Sequence, residues 1–384
     1  MVDDQTSGAA HLDKRVSPGL VIITLSRHAC REYFITSFTR RGESVAAIFQ
    51  RVAAVVRQKN AQVVSQEVFG IAVDDGANVR ALENAFGGIN APVTWLENGH
   101  QTGLCGTHLW AISGLAVRRL ELDGRIVGSV FEDDYAQYCR LGGLLPKDTS
   151  RSPSEQTAEI FQQMDVVLQR NGMEFSNVIR TWFYNDNILD WYDEFNKVRN
   201  DFFHKKRIFD ALLPASTGVG GHNAAGTALA GGLLAVVPLD KAVRAVAVPS
   251  PLQDSATEYG SSFSRAVELA LPDHSRLYVS GTASIDPSGK TAHAGDPEAQ
   301  VKLTMEVVYA ILKSRGMGWD NVKRALAYFK HAKDAPIFQK YCTQNNLGQF
   351  PAVIVENDIC RDELLFEIEV DAIRTRDPAS REAK

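Results

Sequence analysis

The sequence predicts an α/β chain, of the α+β kind, in which one β-rich unit with two helices occurs three times. Three observations carry this. Segments 46–61, 158–173 and 302–317 share a helical spacing of apolar residues, as at Ile160, Met164, Val167 and Leu168. Each is followed by a short β-rich run and then by a second helical stretch. Each copy closes with a pair of strands. The same order three times in one chain marks a repeat architecture.

Taken in order, the first helices of the second and third copies stop at Gly172 and Gly316, which suit a left-handed C-terminal position. The β-rich runs that follow are 63–71, 178–184 and 322–329. The second helices are 78–86, 188–203 and 336–344. The closing strand pairs are 92–96 with 109–115, 214–219 with 229–237, and 351–355 with 364–373. An opening hairpin is expected at 118–128 with 138–146, and at 276–284 with 289–291. In the first copy it falls near 20–25 and 34–39. The resulting order is ββαβαββ, with one sheet per copy and both helices on one of its faces. This divides the chain into a disordered tail (1–17), a degenerate first unit (18–117), a second unit (118–240), a third (241–375) and a second tail (376–384). Three units in one chain form an internal pseudo-trimer, which predicts a monomer.

Composition narrows the function classes. The chain has 384 residues, 45% hydrophobic and 23% charged, with a net charge of -5. The basic residues are dispersed, so nucleic acid is not an expected partner. A dispersed acidic balance still permits a locally positive pocket. The five cysteines show no CxxC pair, which predicts neither a disulfide framework nor a zinc cluster. The polar start is unlike a signal peptide, and no apolar run is long enough for a membrane span. The expected location is cytoplasmic. Trp182, Trp191, Tyr192 and Phe195 read as core.

The strand at 366–370 is the most informative one. Alternation puts Phe366, Ile368 and Val370 on one face and Glu367, Glu369 and Asp371 on the other. The apolar face should meet the helices, and the carboxylates should face neighbouring units. The equivalent strands of the other copies, LAGGLLAVVP and LWAISGL, carry no acid. One of the three sheets is therefore singled out.

The third copy, YVSGTASIDPSGKTAHAGDPEAQ with FPAVIV and LLFEIEVDAI, resembles the Rid/YjgF family in its strand, turn, glycine hairpin and D-x-x-x-Q helix entry. Further stretches resemble the chorismatases, which have a Rid-like architecture in one chain. They are PVTWLENG, YCRLGGLLP, IRTWFYNDNILDWYDEFNKVRNDFF, LPASTGVGG, SGTASID and ENDICRDELLFEIE. Together they run from about Gly19 to Arg374.

That resemblance implies a chorismate-converting enzyme that protonates an enolpyruvyl ether and releases pyruvate. The position matching the chorismatase acid is Glu367, with Glu369 structural. A carboxylic acid kept neutral by burial suits this step. No metal, nucleotide or redox cofactor is called for. The substrate is a dianion, so anion clamps are expected. Candidates are Arg140 with the neighbouring Gly142-Gly143 amides, the Ser216-Thr217-Gly218 turn, Arg180 and Gly281. Two small positions are expected to set the product. Cys360 matches the 3-hydroxybenzoate-forming subtype and Ala283 the hydrolytic one. The resemblance thus implies 3-hydroxybenzoate formation, with 4-hydroxybenzoate as an additional product. The alternatives are hydrolysis to a dihydroxycyclohexadiene carboxylate, a Rid-type 2-imino acid deaminase, and a non-catalytic metabolite-binding protein. The deaminase requires an arginine in a PAR-like motif, where this chain has PAVIV and PAST.

Overall fold

Each first helix starts at a side-chain cap. Ser44 accepts from the Ala47 N–H, Ser152 and Glu155 form a reciprocal capping box, and Asp296 accepts from the Ala299 N–H. Pro153 and Pro297 occupy the first turn, where no N–H is missed. The helices therefore begin up to five residues earlier than apolar spacing indicated. After their ends, Gly172 and Gly316 adopt φ of 71° and 64°, as expected from the sequence.

The computed structural model describes residues 9–70, 76–97 and 103–376. The first unit comprises β1 (His11–Ser17), β2 (Leu20–Ser26), β3 (Arg31–Phe38), α1 (Val45–Gln58), β4 (Gln62–Phe69), α2 (Ala77–Phe86), β5 (Val93–Leu96) and β6 (Gly106–Ser113). The second comprises β7 (Arg118–Leu122), β8 (Arg125–Glu132), β9 (Ala136–Leu144), α3 (Pro153–Gln169), β10 (Val178–Asn185), α4 (Ile188–Lys205), β11 (Ala215–Gly220) and β12 (Leu229–Pro238). The third comprises β13 (Arg244–Val248), β14 (Ala266–Ala270), β15 (His274–Ala283), α5 (Pro297–Ser314), β16 (Val322–Phe329), α6 (Ala335–Gln344), β17 (Ala352–Glu356) and β18 (Phe366–Thr375).

Each unit is thus βββαβαββ, with a six-stranded sheet whose order in the first is β1-β2-β3-β6-β4-β5. This corrects the expected order in three places. Residues 11–17 are not tail but an edge strand paired antiparallel with β2. The single strand expected at 118–128 is two, β7 and β8. The partner of β15 is β14, not residues 289–291, which contribute only an isolated bridge from Thr291 to Ile285. The rest of the expected tails, 1–8 and 377–384, and residue 71 of the expected strand 63–71 lie outside the described residues.

Helices cover one face of each sheet. On β18, Phe366, Ile368 and Val370 join the helix-side core of the third unit, as alternation predicts. The other faces meet in a shared core, which takes Phe69 and Ile112 from the first unit, Trp182 and Leu234 from the second, and Tyr278 and Leu326 from the third. The strand at one edge of each sheet abuts the next unit: β5 lies against β9, β11 against β15, and β17 against β3 and β6.

Candidate active site

Two of these three seams are tightly packed among the described residues. Between the first and second units, the Gly143 N–H donates to Thr94 Oγ1 at 2.9 Å, and a Cβ on Gly143 would collide with the Val93 carbonyl. Between the third and first, Val353 packs so close to Gly106 that a Cβ there would come within 3.0 Å of Val353 Cγ2. Between the second and third units a cavity of about 50 Å³ remains. That is room for one or two waters, so a ring-sized ligand has to displace side chains at the rim.

Glu367 faces this cavity, 5% exposed. It pairs with Ala283 on β15 and with Tyr328 on β16. The residues at the same register in the other units, opposite Tyr184 and Phe69, are Ala230 and Gly106. Opposite Glu367 the β15 ladder shifts register between Val279 and Thr282. Such bulges re-aim side chains beside active sites. Here the shift brings Gly281 against the carboxyl, where a Cβ would overlap Glu367 Oε1. The Gly281 N–H is fixed by Thr217 Oγ1 at 3.1 Å. Gly281→Ala is therefore expected to displace the acid and lower turnover by about tenfold or more, since an ångström-scale misplacement is that costly. Its φ is not positive, so the melting temperature should move little. An unchanged rate would show that the acid is not held by this contact.

Burial raises the Glu367 carboxyl, the nearby negative charge of Glu369 adds to this, and Arg180 opposes it, leaving the group at about 8. At neutral pH it is a carboxylic acid. Glu369, two residues on, is the reverse case. It is fully buried and accepts from Arg324 Nη1 at 2.6 Å, Arg180 Nη2 at 2.9 Å and Trp182 Nε1 at 3.1 Å. Despite the burial that opposes it, the two arginines hold Glu369 below the usual carboxylate range. The network continues through Arg324 to Glu67 at 3.1 Å and from Glu67 to Arg140 at 2.5 Å, so that all three units share it. Trp182 lies beneath it, with the Arg140 guanidinium 4.0 Å from its ring.

The cavity wall is cationic and apolar. Arg199 on α4, Arg265 just before β14 and Arg361 line it. Each is anchored on its own side: Arg199 Nη2 to Asn196 Oδ1 at 2.6 Å, Arg265 Nε and Nη2 to the Asp254 carbonyl at 2.9 and 2.8 Å, and Arg361 Nη1 to the Gly289 carbonyl at 2.8 Å. Pre-anchored guanidiniums bind carboxylates with little ordering cost. Ala283, Ile285 and the partly buried Cys360 form an apolar corner. Burial pushes the Cys360 thiol up to about 12, and Tyr192 hydrogen-bonds to it. It is a thiol at neutral pH.

Of the residues expected at the site, Glu367, Ala283, Cys360, Ser216, Gly218 and Gly281 line the same cavity. Three do not. Thr217 points behind it, where its Oγ1 accepts from Arg180 at 2.6 Å as well as from Gly281. Arg180 is fully buried and committed to Glu369. Arg140 is committed to Glu67 in the shared core, and its Gly142-Gly143 neighbours close the first seam. The arginines that do line the cavity, with Ser261 and Phe263, were not singled out in the sequence. Tyr192 packs against the second-unit core, as the sequence reads it, but also lines the cavity, which the sequence does not mark. Its spacing of seven from Arg199, two turns on one helical face, was an available signal.

Residues 139–228 and 255–374 match the family model described as Endoribonuclease L-PSP. The chain belongs to that family. Among curated proteins, a chorismatase of Streptomyces rapamycinicus is 27% identical over 220 residues, covering 51% of this chain and 64% of that protein. The chain thus spans less than two thirds of that relative's length. A 3-hydroxybenzoate synthase of Streptomyces hygroscopicus is 27% identical over 243 residues, covering 56% and 68%. The crystal structure of a chorismatase aligns with a TM-score of 0.63 at 19% identity, over 90% of this chain and 100% of that one. The fold is therefore that of a chorismatase, with the L-PSP-type unit present three times. No described helix is long and apolar enough to cross a membrane.

Proposed function

We propose that this chain converts chorismate at the seam between its second and third units, with Glu367 as the general acid. The observation that carries this is a neutral carboxyl facing a cavity lined by three arginines, at one of three equivalent seams. The similarity to proteins named chorismatase and 3-hydroxybenzoate synthase supports the substrate class. The arginines take the two carboxylates of the substrate. Glu367 donates its proton to the terminal methylene of the enolpyruvyl ether, which leaves an oxocarbenium ion. The carboxylate it becomes stabilises that cation and regains a proton as product forms. Water addition gives pyruvate and a dihydroxycyclohexadiene carboxylate. Capture by a ring oxygen leads instead to aromatisation, giving pyruvate and a hydroxybenzoate without net water.

The product we assign is 3-hydroxybenzoate, because Cys360 sits at the apolar corner beside the acid and its thiol retains its proton. Cys360→Ala is expected to move the product toward the dihydrodiol with pyruvate release retained, as chromatography of the reaction would show. An unchanged product pattern would remove Cys360 from that role. The test of the function itself is incubation with chorismate while pyruvate is followed enzymatically. One pyruvate per chorismate consumed is expected. Turnover of 2-imino acids without pyruvate, or binding without turnover, would overturn the proposal.

A further inference from the structure

The first unit holds a second cavity that the proposed reaction does not use. In the second and third units, helices and sheet share one continuous apolar core. In the first, the corresponding core is split into two clusters, one around Phe49, Val68 and Leu82 and the other around Ile35, Val52 and Leu109. A cavity of about 470 Å³ opens beside both, walled by α1, α2 and β4. That volume lies in the range of small-molecule sites.

Its lining is selective in charge. Leu82, Phe86, Ile89 and Val56 supply apolar walls. The charged side chains among the described lining residues are Arg57 and Arg119, with no carboxylate. Both are fixed in place: Arg57 Nη1 donates to the Ala85 carbonyl at 2.7 Å, and Arg119 Nη1 to the Val63 carbonyl at 2.6 Å and Ser129 Oγ at 2.7 Å. At the sheet end lies Gln66, 3% exposed, whose amide donates to Thr107 Oγ1 at 3.0 Å. The groove between α5 and α6 of the third unit differs, since Glu298 and Glu306 line it beside Lys302 and Lys340. The first-unit cavity thus combines apolar walls, a buried amide and cations unopposed by acid among its described lining residues.

We propose that this cavity binds a small monocyclic carboxylate, with its ring between α1 and α2 and its carboxylate at Arg119. Arg119 belongs to β7 of the second unit, so the ligand bridges two units. The inference does not rest on the chemistry of Glu367. Full-length protein crystallised with 4-bromobenzoate should show an anomalous bromine peak between α1 and α2. In calorimetry with benzoate, Arg119→Gln should weaken binding by about tenfold or more, as loss of a charge-assisted pair does, and leave pyruvate release intact. Leu82→Trp, which enlarges a side chain on the cavity wall, should do the same. Arg199→Gln, at the seam, should leave this binding in place. Bromine at the seam alone, benzoate binding lost in Arg199→Gln but kept in Arg119→Gln, or no measurable benzoate binding would each overturn the proposal.

Discussion

Replacing Glu367 by glutamine is expected to stop catalysis and stabilise the protein at the same time. The amide keeps the shape of the side chain but has no proton to give, so pyruvate release should fall by about 10²–10⁴-fold, the usual worth of a general acid. The stability change follows from linkage. The folded carboxyl titrates near 8 and the unfolded one near 4.5. A raised folded value means that its stabilising contribution is complete below 4.5 and is lost as pH rises toward 8. At pH 7, folding must take up a proton, at a cost of about 3 kcal/mol. The glutamine variant escapes that cost. Its melting temperature should exceed that of the wild type at pH 7 to 8, and the difference should shrink toward pH 5. The same titration predicts a rate that is level below about pH 8 and falls above it. A variant with less stability at pH 8 and full activity would place the acid elsewhere.

Glu369→Gln has the second large effect, in the opposite sense. It leaves Arg180 and Arg324 buried without the carboxylate that both share. Breaking a buried pair from one side costs about 3–5 kcal/mol. It also removes the negative charge that helps raise Glu367, while Arg180, which lowers it, stays. The alkaline limb of the rate profile should therefore move down, by about one pH unit if the two charges act as near neighbours. Glu67→Gln supplies the control. It breaks the same network at Arg140 and Arg324 but is not among the charges that set Glu367. It should destabilise the protein and leave the limb in place. If both variants shift the limb equally, Glu369 is only a structural residue.

The repeat, the helix ends at Gly172 and Gly316, and the two faces of β18 were legible in the sequence, because each depends on local spacing. The extra strand of each unit was not. β1 is largely exposed and charged, which suits a sheet edge but hides the alternation that would mark a strand. Arg140 and Arg180 could be read as ligand groups because their partners, Glu67 and Glu369, stand 73 and 189 residues away in other units. Pairing over such distances leaves no trace in local pattern. For the same reason Arg199, Arg265 and Arg361 were missed: they come from a helix and two loops that only the seam brings together. Glu367 was legible because the contrast between copies, rather than the strand itself, set it apart.

The central claim is that Glu367 carries its proton at neutral pH. Carbon-13 NMR of protein labelled at the glutamate carboxyl carbons tests it directly, with the Glu367→Gln spectrum identifying the resonance by its absence. A midpoint near 8 is expected. A midpoint in the ordinary glutamate range, near 4.5, would contradict the account.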